Sequence, residues 1–223
     1  MNYLIFLLIF IVLNFILFTL NKFIAKNMNL YDFPDFKRKI HIEKIPVTGG
    51  IFIYVNIIIF LIFTNIYDNF LYNSLFEDRR ELFSFIFLIS SLFLIGLYDD
   101  KYNLKPIPKL SLSILAIFIS ILLNKNLLLQ NLSFDTLNFE IDLSNLSIVF
   151  SIFCILIFLN ALNMFDGIDS QVSAYSIFFL LYLTVKSGFF ILIFLFPVFC
   201  FNIFYNFKKK LFLGDSGTNI ISA

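Results

Sequence analysis

Tryptophan is missing from this chain of 223 residues, histidine occurs once, cysteine twice and proline only five times. Each scarcity removes a class of answer. One His and two Cys leave no set of ligands at zinc spacing, and Cys154 and Cys200 both sit in apolar stretches, where each reads as a small hydrophobe rather than half of a disulfide. Charged residues make up only 14% of the chain and nearly balance, at a net charge of +1, and there is no basic arm. The net charge says nothing about nucleic acid, and no basic arm supports that reading. What fills the chain is apolar: 60% of residues are hydrophobic and 34 are Phe, against roughly 45–50% apolar for a soluble domain.

The apolar residues come in runs. Tyr3–Leu20, Gly49–Ile66, Leu82–Tyr98, Leu146–Leu162 and Phe189–Asn206 are free of charge and approach the length that crosses a hydrocarbon core, about 20 helical residues. Leu110–Leu123 and Val172–Val185 are shorter, and their flanks can extend them. The expectation is an all-α integral membrane protein: one multi-span bundle over residues 1–223, with about seven complete transmembrane helices and the start of an eighth after Gly217. The first run has no basic residue before it and no small-residue cleavage site after it, so it reads as an anchor rather than a signal peptide. Seven spans put twelve of the sixteen Lys and Arg on one side, the side that receives Lys37, Lys101, Lys109 and Lys208. By the positive-inside rule that side is cytoplasmic and the N-terminus is outside. On the other side, Leu132–Leu143 alternates apolar and polar residues in its second half and reads as a small β-hairpin.

Polar side chains are costly at a membrane span and usually functional there. Asp99 and Asp100 close one apolar run; Asn160, Asn163, Asp166 and Asp169 begin within another and continue past its end; Asp215 sits between glycines in FLGDSG. All of them, with the basic loop Lys37–Gly50, fall on the cytoplasmic side and could share one cleft. Taken singly each has a plainer reading. Asp99–Asp100 can be a solvated turn, Asn163–Asp169 a capped helix end, and FLGDSG a polar loop. Lys37, Arg38 and Lys39 can be topology signals, and His41 can be structural. Together, acids able to hold a divalent cation beside lysines able to hold phosphate match what a pyrophosphate substrate requires. Mg²⁺, which takes few carboxylates and keeps waters and phosphate oxygens, suits Asp and Asn better than His or Cys would. Ser216 or Thr218 could cap a helix that starts at FLGDSG, leaving its first amides for an anion.

Four stretches carry a resemblance to a known family: DFPDFKRKIHIEKIPVTGG (32–50), GLYDDKYNLKPIPKL (96–110), NALNMFDGID (160–169) and FLGDSG (212–217). In order, spacing and loop placement the chain resembles the polyprenyl-phosphate N-acetylhexosamine-1-phosphate transferases, and its RKxH form of the first stretch is closer to the WecA-like branch than to the MraY-like one. The resemblance implies a multi-pass protein of the bacterial inner membrane. Its reaction would be transfer of a sugar-1-phosphate from a UDP-sugar to undecaprenyl or another polyprenyl phosphate, with release of UMP, initiating cell-envelope polysaccharide synthesis. It further implies Mg²⁺, with Mn²⁺ as a substitute, no nucleic-acid partner, and allows a homodimer. Carried over residue by residue, Asn163 and Asp215 would hold the metal; Asp99 and Asp100 would lie at the lipid phosphate and Asp166 in the same catalytic cluster. Lys37, Arg38, His41, Lys109 and Asp169 would bind substrate.

Two departures accompany the likeness. The family continues the third motif with Gly-Leu where this chain has Ser170-Gln171. It also continues for roughly a hundred residues beyond the end of this sequence, through a His-containing loop, so the expectation is a partial or truncated chain whose C-terminal part is missing. The competing readings are a fragment of an ion-coupled transporter and an inactive truncated scaffold. Transporter sites usually lie near mid-membrane, whereas these acids gather at span ends.

Overall fold

The computed structural model describes residues 3–34, 43–67, 76, 78–134, 139–167, 170–188 and 190–223. Within them the chain is helical apart from two short antiparallel pairs. Its helices are α1 (Tyr3–Thr19), α2 (Asn21–Met28), α3 (Gly49–Tyr67), α4 (Arg79–Tyr102), α5 (Pro106–Leu123), α6 (Ser147–Phe165), α7 (Gln171–Ser187), α8 (Phe196–Phe207) and α9 (Gly214–Ser222). Strand β1 (Tyr31–Asp32) pairs with β2 (Ile45–Pro46), and β3 (Asn131–Phe134) pairs with β4 (Phe139–Asp142). The second pair is the hairpin expected from the alternation after Leu132.

The helix ends follow local chemistry. The Asp78 carboxylate accepts the Glu81 amide at 2.7 Å and starts α4; Asn103, in the left-handed region at φ 52°, stops it. Pro106 opens α5, where its missing N–H costs nothing.

The span count differs from the expectation of seven plus a start. Among the described residues three helices are long and apolar enough to cross a membrane: Arg79–Tyr102, Pro106–Leu123 and Ser144–Phe165. A fourth arises if α1 and α2, bent by 55° at Leu20, count as one broken span. The apolar run 189–206 divides into a 3₁₀ turn, Phe190–Leu195, and the twelve-residue α8 with Pro197 in its first turn.

The would-be eighth span behaves differently again. Helix α9 packs against α3, α4 and α6, and Ser216, Gly217, Thr218, Asn219, Ile220 and Ser222 are all buried. Its backbone is therefore covered by protein, which meets the requirement that no unsatisfied polar backbone face lipid. Two glycines make the fit. A Cβ on Gly96 of α4 would lie 2.5 Å from Ser216 Cα, and one on Gly50 of α3 would strike the Ser216 side chain and the Gly217 amide. The chain leading into α9 is stitched to the start of α3: the Phe212 amide donates to Pro46 (2.8 Å), and the Gly49 and Gly50 amides donate to Phe212 (3.1 Å) and Leu213 (3.0 Å). Gly96→Val should therefore lower stability by about 1–3 kcal/mol through overpacking against rigid backbone, read as a drop in the thermal midpoint in detergent. An unchanged midpoint would mean that α9 is not seated there.

Elsewhere the bundle is held by aromatic and aliphatic packing, with Tyr54 stacked on Phe93 (centroids 4.2 Å). One buried polar pair joins α1 to α3. The amides of Asn14 and Asn56 bond each other reciprocally, at 2.8 and 3.0 Å, and each also donates to the carbonyl four residues earlier. Both side chains are satisfied, as burial demands.

Candidate active site

The site forms where α4 ends, α5 begins, α6 ends and α9 starts. Asp99 is in the last turn of α4, and the left-handed Asn103 returns the chain so that the Leu104 amide donates to Asp99 Oδ1 at 2.6 Å. That turn launches α5, whose first turn places Lys109 opposite: its Nζ donates to Asp99 Oδ2 at 2.8 Å and forms a second ion pair with Asp215 Oδ2. Lys101 and Lys105 are both exposed, and Lys101 lies over the Tyr102 ring instead. Of the three lysines in this loop, Lys109 is the one turned into the cluster.

Asp100 faces the opposite way. Its two oxygens accept the backbone N–H groups of Asp215 (2.7 Å) and Ser216 (3.0 Å). The first amides of α9 are thus taken by a carboxylate from α4, a favourable partner for the positive end of a helix. No side chain of its own segment caps the helix; the Thr218 hydroxyl donates back to the Asp215 carbonyl at 3.1 Å. The reading that Ser216 or Thr218 caps α9 and leaves its amides to an anion is corrected accordingly.

Asn163, near the end of α6, completes the group. With its amide turned as its neighbours require, Nδ2 donates to Asp215 Oδ1 at 2.8 Å and Oδ1 accepts from Lys109 Nζ at 3.0 Å. The Thr218 hydroxyl is 3.4 Å from the same amide. Asp166 is half-buried at the C-cap of α6, three residues on. Lys37, Arg38, His41 and Asp169 lie outside the described residues.

Two carboxylates, Asp99 and Asp215, share the one Lys109 ammonium, so this part of the cluster carries excess negative charge. Burial first, and then the Asp99 carboxylate alongside, raise the Asp215 carboxyl above its ordinary value against the pull of the Lys109 ammonium. An anionic phosphate would meet repulsion at such a site unless a cation came with it. Asp215 and Asn163 lie side by side, each with an oxygen bonded to Lys109 Nζ and with Asn163 Nδ2 turned to Asp215 Oδ1. No group of three or more His, Cys, Asp or Glu side chains is placed to hold a metal among the described residues. Asp and Asn oxygens are donors of the type that Mg²⁺ takes, with waters and phosphate oxygens completing its shell.

Beside the cluster, between α5 and α6, is a cavity of about 400 Å³. Asp99, Lys109 and Asn160 mark its polar end, and its walls are Pro106, Ile107, Leu110, Leu156 and Leu159. These apolar residues drew no notice in the sequence, because a cavity wall and a lipid-facing surface have the same composition.

Ser170 explains one departure from the family pattern. It precedes α7 in the left-handed region, at φ 64°, a conformation that suits Gly. The serine is held there by its hydroxyl, which donates to Asn206 Oδ1 (3.2 Å) and lies 3.3 Å from the Ile203 carbonyl. Ser170→Ala would keep the strain and lose those bonds, whereas Ser170→Gly would lose both. Ala should be the less stable variant by about 1–2 kcal/mol, the left-handed penalty for a side chain, in a thermal-unfolding comparison. Equal midpoints would contradict the strain.

The family model for glycosyl transferase family 4 matches residues 82–223, a window that opens in α4 and contains Asp99, Asp100, Lys109, Asn163 and Asp215. The chain is also 28% identical over 214 residues to undecaprenyl-phosphate alpha-N-acetylglucosaminyl 1-phosphate transferase of Thermotoga maritima, an alignment that covers 95% of this chain and 60% of that relative. The chain thus spans about three-fifths of the length of the relative it matches. With the family model covering more than half of the chain and its window enclosing the whole cluster, this membrane protein belongs to glycosyl transferase family 4.

Proposed function

We propose that this chain supplies the phosphate-handling half of an enzyme that moves an N-acetylhexosamine 1-phosphate from a UDP-sugar to a polyprenyl phosphate in a bacterial inner membrane. The observation that carries the reading is Lys109, bridging Asp99 and Asp215 at the polar end of a cavity with apolar walls. A lipid phosphate is the kind of molecule that has a charged end for the first and a hydrocarbon chain for the second.

In this reading a phosphate oxygen of the polyprenyl phosphate attacks the β-phosphorus of the UDP-sugar. A new P–O bond forms, the bridging P–O bond to the α-phosphate breaks, and UMP leaves with the electron pair. Such transfers depend on positioning and charge neutralisation more than on covalent help from the protein. Lys109 neutralises the incoming lipid phosphate, and Asp99 holds Lys109 in place. Asp100, bonded to two α9 amides, fixes the position of Asp215. Asp215 and Asn163 would hold Mg²⁺, which when bound offsets charge on the diphosphate. Asp166 would flank the transferred group, and Lys37, Arg38, His41 and Asp169 would contact the nucleotide and sugar. The RKxH stretch supports the WecA-like branch.

A cysteine at Ile107, an exposed residue of the cavity wall, tests the lipid site. In a background with Cys154 and Cys200 replaced by Ala, Ile107→Cys should be protected from maleimide by undecaprenyl phosphate and far less by undecaprenol. Equal labelling with and without the phosphorylated lipid would remove the cavity from the function.

A further inference from the structure

The β3–β4 hairpin is not used by the chemistry above, and it lies at the far end of α5 and α6 from Asp99. Its register pairs Leu132 with Ile141 and Phe134 with Phe139, alternating with Asn131–Asp142 and Ser133–Glu140. Because side chains alternate across a strand, these pairs sort by face. One face holds Leu132, Phe134, Phe139 and Ile141; the other holds Asn131, Ser133, Glu140 and Asp142. The described residues cover the apolar face only in part: Phe134, Phe139 and Ile141 are 45%, 55% and 39% exposed, and Leu132 is half-buried. A two-stranded hairpin standing alone in water is marginal at best.

Its position identifies what covers it. The Leu129 amide, two residues before β3, donates to Ser151 Oγ at 2.8 Å. Ser151 is four residues into α6, about 6 Å along a helix at 1.5 Å per residue. Leu127 and Leu128 pack on the core that joins α4, α5 and α6, and the Leu143 amide closes the ladder onto Gln130 (2.8 Å) just before α6 starts. The hairpin is therefore rooted below the end of a spanning helix rather than held above it. Beside that root, Leu146 and Val149 are each 65% exposed and belong to the lipid-facing surface of the span Ser144–Phe165.

We propose that this hairpin lies in the membrane surface, with Leu132, Phe134, Phe139 and Ile141 seated among the upper acyl chains and Asn131, Ser133, Glu140 and Asp142 facing water. The apolar face continues the lipid-contacting surface of α6, so lipid is its occupant. The acidic residues on the other face give no attraction to anionic headgroups, and the contact is apolar and independent of lipid charge. This inference depends on membrane insertion alone and not on the reaction proposed above.

The absence of tryptophan makes the test direct. Phe139→Trp gives the chain a single indole on the apolar face, and Glu140→Trp gives one on the polar face. In phosphatidylcholine vesicles brominated near the head of the acyl chain, Phe139→Trp should emit to the blue of Glu140→Trp. It should also be quenched several-fold more by the brominated lipid and less by aqueous acrylamide, with no change when anionic lipid is added. Leu132→Trp, on the partner strand, should behave as Phe139→Trp does and guards against a local folding failure. If Phe139→Trp and Leu132→Trp are quenched by acrylamide as strongly as Glu140→Trp, the face is in water and the proposal is wrong. It is equally wrong if their emission is blue-shifted but indifferent to brominated lipid and sensitive to the protein-to-lipid ratio, because a second copy of the chain then covers the face.

Discussion

In the complete enzyme of the proposed function, Asp215→Asn is expected to reduce UMP release by on the order of a hundred- to a thousandfold, the scale of removing one electrostatic contributor to a transition state. The substitution is nearly isosteric, and the Asp215 backbone N–H would still reach Asp100, so α9 should keep its seat and the thermal midpoint should move little. What changes is chemical: a formal charge is lost where Asn163 and Lys109 converge. The residual rate should also need more Mg²⁺ to saturate, since a hard anionic donor has become a neutral amide. Turnover near that of the unaltered protein, with an unchanged Mg²⁺ titration, would remove Asp215 from its proposed place.

Lys109→Met tests the other half of the cluster. It leaves Asp99 and Asp215 facing each other without the ammonium that both contact. Removing one partner from a fully buried ion pair costs about 3–5 kcal/mol. Side-chain exposures of 15% for Lys109, 13% for Asp99 and 30% for Asp215 place the expected loss nearer 2–3 kcal/mol, because water screens part of the repulsion. Affinity for undecaprenyl phosphate should fall by about tenfold or more, the equivalent of one charge-assisted hydrogen bond. The double variant Lys109→Met with Asp99→Asn separates the two effects. It should recover part of the stability, because one of the stranded charges is gone, and none of the lipid affinity. A double variant no more stable than Lys109→Met would mean that the stranded Asp99 charge is not the source of the loss.

The convergence of Asp99, Lys109, Asn163 and Asp215 was legible in the sequence because polar groups at the ends of apolar runs are costly, and alternation along the chain puts those ends on one side. The resemblance picked out Lys109, but spacing alone did not show which lysine turns inward. Lys101, Lys105 and Lys109 share one loop, and the choice depends on the left-handed turn at Asn103 and the phase of the helix that Pro106 begins. The part Asp100 plays was hidden as well, since its partners are backbone amides 115 and 116 residues away. The span count failed for a related reason. Apolar composition records what a segment can touch and not where its helix breaks, so the bend at Leu20 and the 3₁₀ turn before Phe196 left no trace in hydropathy. Helix α9 read as a fragment of a span because Ile220 and its neighbours are apolar. The signals that it is enclosed by protein are small residues on other helices, Gly50 and Gly96, which only the fold brings against it.

The measurement that bears most directly on the central claim is identification of the nucleotide released when the complete enzyme, in which residues 1–223 supply the phosphate-handling half, is given UDP-N-acetylglucosamine, undecaprenyl phosphate and Mg²⁺. Phosphoryl transfer at the β-phosphorus predicts UMP, formed in step with a diphosphate-linked lipid sugar and abolished by chelation of the metal. Release of UDP would mean that the sugar moves without its phosphate. That result, or the absence of any nucleotide product across the UDP-hexosamines, would contradict the account.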